Sequence, residues 1–229
     1  MDLVVTTPES LRQAMTEAFE GLVARADGPM GIGLSGGGTA LLFLDALKQA
    51  RVDWSRIALF WVDERAVPPD DPQSNFGAAE RLLLDPLGAS APIAWRMPAE
   101  LPDLQDAADR YDETLARELG PRGGLGLAIL GIGEDGHIAS LFPGHHALLY
   151  DRMRTVAVED SPKPPPRRLS MTLPFLGRSR EAWIVALGQR KKPVLQGAIT
   201  GDRPSTPLSL LLRQVRHATV FTDQAIQLR

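Results

Sequence analysis

Three short, almost uninterrupted apolar runs, Met30–Leu34, Ile57–Val62 and Leu125–Leu130, each stop at a loop of glycines or charges. A strand reads this way when both of its faces are buried, as in a parallel sheet covered by helices on each side. Helical signals lie between the runs. Thr7, followed by Pro8 and Glu9, reads as an N-cap with proline in the first turn, and Leu11, Met15, Ala18 and Leu22 then share one face. Further helices are predicted over Thr39–Ala50, Phe76–Leu84 and Leu104–Leu119. Further strands are predicted over Thr155–Val158, Leu169–Leu173, Trp183–Leu187 and Thr219–Phe221. The alternation predicts an α/β fold with a mostly parallel sheet flanked by helices.

With 229 residues and roughly 150 per domain, one domain spanning 1–229 is expected. The proline-rich piece Pro162–Pro166 reads as an extended connector inside that domain, because strand signals resume at Arg168. Apolar residues at 44% and charged residues at 23% exclude a disordered chain. A net charge of −3 argues against a nucleic-acid partner, whose phosphates call for clustered positive charge. The absence of cysteine excludes disulfides and thiolate metal sites. The N-terminus has no basic head before an apolar segment, and no apolar stretch reaches the ~18 residues of a membrane span. A cytoplasmic chain without a membrane partner, monomeric or in a small homo-oligomer, is the expectation.

In open parallel sheets, ligands bind beyond the carboxyl ends of the strands. The loops Ser35–Thr39, Asp63–Asn75 and Gly131–Gly144 are therefore expected to share one rim. Ser35-Gly36-Gly37-Gly38-Thr39 joins a strand to a helix, where backbone N–H groups and a helix N-terminus suit an anion. It lacks the Gly-Lys-Ser/Thr of a P-loop, and Gly31-x-Gly33 lies inside the strand rather than at a dinucleotide-binding turn. Asp63-Glu64-Arg65 is either a solvated charge cluster or an arginine clamp with an orienting acid. Ser74 and Asn75 suit the cap of the next helix.

Gly131-Ile-Gly-Glu-Asp-Gly-His137 is the sharpest segment. A loop histidine beside carboxylates is a general-base candidate, its ordinary pKa lying near neutrality. His145 and His146 follow closely, yet no recognised zinc spacing is present, so no metal is expected and activity is expected to survive chelation. Arg167-Arg168 and Lys191-Lys192, the latter two of only four lysines, are either surface charge or contacts to an anion at the same rim.

Together these loops resemble a known set. Leu34-Ser-Gly-Gly-Gly-Thr39, Trp61-Val-Asp-Glu-Arg65 with Ser74-Asn75, and Leu130-Gly-Ile-Gly-Glu-Asp-Gly-His-Ile-Ala-Ser-Leu-Phe-Pro-Gly144 look like those of the 6-phosphogluconolactonases, within the glucosamine-6-phosphate isomerase/6-phosphogluconolactonase family. Arg168-Leu-Ser-Met-Thr172 and Gly188-Gln-Arg-Lys191 match later segments of that family, so the likeness runs from about Gly31 to Lys191. The resemblance implies a Rossmann-like sheet shared with glucosamine-6-phosphate deaminase and ribose-5-phosphate isomerase. It implies hydrolysis of 6-phospho-D-glucono-1,5-lactone to 6-phospho-D-gluconate in the oxidative pentose phosphate pathway, with no cofactor. His137 is then the base that activates water, held by Asp135 or by Asp63. Arg65 or loop N–H groups stabilise the oxyanion, and Arg65, Arg168 and Lys191 are the cationic contacts. Gly36, Gly37, Gly38 and Thr39, with Asn75 and Gly133, face the substrate. Two positions depart from the family pattern: Gly38 stands for serine and Ala40 for proline.

The related deaminases carry a glutamate where this chain has Phe142 and a tyrosine where it has Arg65, which favours the lactonase. A non-catalytic sugar-phosphate sensor on the same fold is the third reading, disfavoured by the intact His137 loop.

Overall fold

The computed structural model describes residues 1–227. In chain order the strands are β1 (Asp2–Val5), β2 (Met30–Leu34), β3 (Ile57–Trp61), β4 (Asp63–Arg65), β5 (Ile93–Trp95), β6 (Leu127–Gly131), β7 (Thr155–Val158), β8 (Arg168–Met171), β9 (Glu181–Ala186) and β10 (Ala218–Thr222). The helices are α1 (Pro8–Ala24), α2 (Ala40–Gln49), α3 (Asn75–Ala79), α4 (Asp85–Leu87), α5 (Leu104–Leu119), α6 (Leu173–Gly177), α7 (Lys192–Thr200) and α8 (Pro207–Gln214). Seven strands form one sheet in the order β1-β10-β9-β6-β2-β3-β5, and every pairing in it is parallel. All residues of β2 and β10 are buried, which is why their sequences show no polar alternation.

The sheet is flanked by helices whose starts follow local chemistry. Thr7 caps α1 by accepting from the Ser10 N–H, with proline next in line, and Thr206-Pro207 opens α8 in the same way. The helix predicted over Phe76–Leu84 opens one residue earlier, behind the Ser74 cap, and widens into a π-turn at Glu80–Leu84.

Thr155–Val158 is a strand as predicted, but it lies outside the parallel sheet. It pairs antiparallel with β8, and β8 with β4, in a separate three-stranded sheet. The strand predicted over Leu169–Leu173 ends at Met171, because Pro174 starts α6 after Thr172. The edge strands β1 and β5, of four and three residues, and the helices α7 and α8 have no counterpart among the sequence expectations.

β2 and β6 are sheet neighbours, yet the chain leaves β2 toward β3 and β5 and leaves β6 the opposite way toward β9 and β10. The loops after these two strands diverge, and a crevice opens between them at the carboxyl rim. Ser35 bridges its floor: its N–H donates to the Ile129 carbonyl and its hydroxyl accepts from the Gly131 N–H at 3.0 Å.

Candidate active site

The crevice is a cavity of about 430 Å³. Ser35–Thr39 forms one wall, Asp63, Arg65 and Asn75 a second, and Gly131–Glu134 with His137 and Ala139 a third, while Lys163, Arg168 and Lys191 close it. The three loops singled out in the sequence thus meet in one place. Of the residues predicted for the site, all but Asp135 line the cavity; Asp135 contacts His137.

The histidine loop is closely bonded. Gly133 donates its N–H to the His137 carbonyl at 2.9 Å, and Gly136 donates back to the Gly133 carbonyl at 3.0 Å. A Cβ on Gly133 would lie 2.0 Å from Nδ1 of His137 and 2.4 Å from Oδ1 of Asp135, so only glycine leaves room for the pair. Ala139 takes a left-handed φ of 48°, uncommon for a residue with a side chain, and is held there by the Ile138–Leu141 turn and by the Ser170 hydroxyl on the Ser140 N–H.

Oδ1 of Asp135 lies 2.6 Å from Nδ1 of His137. An ionised carboxylate only accepts, so Nδ1 carries the proton and Nε2 keeps its lone pair. The ring packs against Phe142 at a centroid distance of 4.6 Å. Burial pushes the imidazole below its ordinary pKa; Asp135 pulls the other way and Lys163 adds to the depression. Burial works to raise the Asp135 carboxyl, but His137 and Lys163 outweigh it and hold it below the ordinary range.

Asp63 makes different bonds. It accepts from the Ser140 hydroxyl at 2.7 Å, and the Asn75 amide donates to its carbonyl at 2.9 Å. Glu64 is 3% exposed and takes the N–H groups of Arg65, Asn75 and Phe76 together with the Ser74 hydroxyl. Burial raises its carboxyl against those four donors. The cluster is therefore not solvated; it nails the second loop to the start of α3.

The cations differ in what they hold. Arg168 is 5% exposed and spends its guanidinium on loop carbonyls and the Ser140 hydroxyl. Arg65 gives one terminal nitrogen to the Gln73 carbonyl at 2.7 Å and has a buried Nε–H without a partner among the described residues. Lys191 lines the cavity, and burial lowers its ammonium pKa. Lys163, which sits in the stretch read from sequence as a mere connector, reaches Oδ2 of Asp135 at 3.3 Å. A lysine amid four prolines was the available signal for it.

His145, His146 and Asp160 form the one group of potential metal ligands among the described residues, with ligand atoms within 4.8 Å of one another. Both ring nitrogens of His145 are already engaged: Nδ1 accepts from the Ala147 N–H and Nε2 faces Asp160 at 2.9 Å. With Nδ1 accepting, Nε2 carries the proton and offers a metal no lone pair. None of the described helices is long and apolar enough to cross a membrane.

A family model described as glucosamine-6-phosphate isomerases/6-phosphogluconolactonase matches residues 6–221. The 6-phosphogluconolactonase of Mycobacterium tuberculosis is 39% identical over 193 residues, covering 80% of this chain and 78% of that one. Its counterpart in Streptomyces coelicolor is 36% identical over 187 residues, covering 76% and 72%. The crystal structure of 6-phosphogluconolactonase from Thermotoga maritima superposes with a TM-score of 0.81 at 26% identity, over 96% of this chain and 97% of that one.

Proposed function

The chain belongs to the glucosamine-6-phosphate isomerase/6-phosphogluconolactonase family, and on that premise we infer that its cavity hydrolyses 6-phosphogluconolactone to 6-phosphogluconate, a step of the pentose phosphate pathway. The observation that carries the mechanistic reading is His137, which lines a cavity whose other walls offer backbone N–H groups and cations and is held from behind by Asp135 at 2.6 Å.

A δ-lactone is an activated ester, so one base and charge stabilisation suffice without a covalent nucleophile. Asp135 holds the Nδ1–H of His137, and Nε2 takes a proton from water. The water oxygen bonds to the lactone carbonyl carbon, and the negative charge moves onto the carbonyl oxygen. Arg65, which lines the cavity, and the loop N–H groups are the donors for that oxyanion. As the intermediate collapses, the bond from carbon to ring oxygen breaks and His137 returns its proton to that oxygen. The new carboxylic acid ionises, releasing one proton per turnover.

Lys191 and the N–H groups of Gly36, Gly37, Gly38 and Thr39 at the start of α2 receive the phosphate. Asp63 and Asn75, joined by the hydrogen bond from the Asn75 amide to the Asp63 carbonyl, line the same cavity. Phe142 stacks on His137 where the deaminases place a carboxylate, which leaves the ring-opening step of that alternative without its acid. A coupled assay on freshly generated 6-phosphogluconolactone, run beside glucosamine 6-phosphate, tests the reading. Turnover of the lactone alone is expected; ammonia release from the amino sugar would reverse the assignment.

A further inference from the structure

The turn Ser161–Pro166 lies against the cavity and is gripped from below. Arg168 donates from Nε to the Pro165 carbonyl at 2.9 Å and from one terminal nitrogen to the carbonyls of Lys163 and Pro164 at 3.1 and 3.0 Å. The Ser161 hydroxyl donates to the Lys163 carbonyl at 3.0 Å and accepts its N–H at 3.2 Å. The backbone of Lys163 is thus held on both sides, and its ammonium is delivered to Oδ2 of Asp135 at 3.3 Å and to within 3.2 Å of Nδ1 of His137. That second approach is not a hydrogen bond, because an ammonium only donates and the Nδ1 proton already points at Asp135. It is a close contact of positive charge with the imidazole.

We propose that Lys163 is a positioning residue for the reaction: it binds the outer oxygen of Asp135 while the inner oxygen holds the Nδ1–H of His137, and so keeps the base both aligned and uncharged. An ionised Asp135 alone would orient the ring but also stabilise the imidazolium, which has no lone pair to take a proton from water. A shared ammonium removes that second effect and leaves the first. The other charged groups around His137 are Asp63 from β4, Arg65 and Arg168 across the cavity and behind Phe142, and Glu134 and Lys191 at the mouth. His145 lies beyond Phe142. Of these, Lys163 is the cation that touches both members of the pair.

The proposal rests on the lactonase reading in its kinetic arm only. The test is the NMR titration of the His137 imidazole in the wild type, Lys163→Met and Lys163→Arg, with the pH profile of kcat/KM on phosphorylated and unphosphorylated gluconolactone. The side chain is 43% exposed, so both variants are expected to fold. Removing a like charge and unmasking Asp135 both favour the imidazolium, so Lys163→Met is expected to raise the His137 midpoint by about half a unit to one unit. The acid limb of kcat/KM moves up with it on both lactones, and Lys163→Arg restores most of the shift. An unmoved His137 midpoint overturns the proposal. So does a KM increase confined to the phosphorylated lactone with the acid limb in place, which would make Lys163 a substrate contact. The titration needs no turnover, so a chain inactive on lactones would sink the proposed function and leave this role measurable.

Discussion

The two loops that face each other across the switch point are built on opposite terms. In Ser35–Thr39, none of the N–H groups of Gly36, Gly37, Gly38 and Thr39 is paired among the described residues, and Gly37 and Gly38 are exposed. Thr39 does not cap α2 with its side chain. In Gly133–Leu141, the N–H groups of Gly133, Gly136, His137, Ser140 and Leu141 all have partners, and His137 is held by Asp135 and Phe142. Unmet donors at a helix N-terminus are completed by an incoming anion, whereas a base that must meet a reacting atom is aligned beforehand. In the proposed mechanism, one wall grips and the other reacts.

The sharpest way to break this division is at the base. His137→Ala is expected to lower kcat by roughly 10²–10⁴ with the fold retained. Turnover near wild type in a steady-state assay would remove His137 from the chemistry. The same wall sets the pH profile. In the proposed mechanism the working form of His137 is neutral, so activity is expected to fall as pH drops through its pKa. Burial places that pKa below the ordinary value of about 6.5, and the acid limb is expected beneath it. A limb above pH 7, after subtraction of spontaneous hydrolysis, would contradict the assignment.

The cations that close the cavity are expected to show a smaller and more selective loss. Lys191→Ala should raise KM for the phosphorylated lactone by about an order of magnitude, in line with ~1–3 kcal/mol for a charged hydrogen bond, and change the unphosphorylated lactone little. Arg168→Ala sharpens the contrast, since its donors serve the Lys163 turn. Equal losses on both lactones are expected from a buried clamp. A loss on the phosphorylated substrate alone would move Arg168 to the phosphate. The smallest effect belongs to Gly38. No atom lies within 4 Å of a Cβ built there, so Gly38→Ser fits, and the added hydroxyl should lower KM for the phosphorylated lactone by a few-fold at most. A raised KM would show that this wall is already closed to new donors.

Legibility followed the range of the interactions. β2, β7 and α5 match their predicted spans because each is announced by its own residues: an apolar run, a strand-forming Thr155-Val156-Ala157-Val158, and an amphipathic stretch behind the Asp103 cap. β1 and β5 are short edges that exist because a neighbour offers a ladder, so little in their own sequence marks them. β4 was hidden for the same reason. Asp63-Glu64-Arg65 looks like solvated charge until β8 pairs with it and Glu64 collects four donors.

By itself the sequence determined the parallel α/β sheet and the three loops on one rim, and it offered His137 as the candidate base, because apolar period, glycine placement and loop chemistry are local properties. The tertiary structure decided which carboxylate holds His137, that Arg168 is spent on carbonyls, and that a lysine in a proline run reaches the His137–Asp135 pair. Asp135 is two residues from His137, but Asp63 was an equal rival until Ser140, seventy-seven residues further on, took its oxygen. Lys163 is twenty-six residues from His137 and arrives only because Arg168 folds the turn back over the cavity. Such pairings depend on where the backbone places two distant segments, and no window of sequence shorter than the fold contains them.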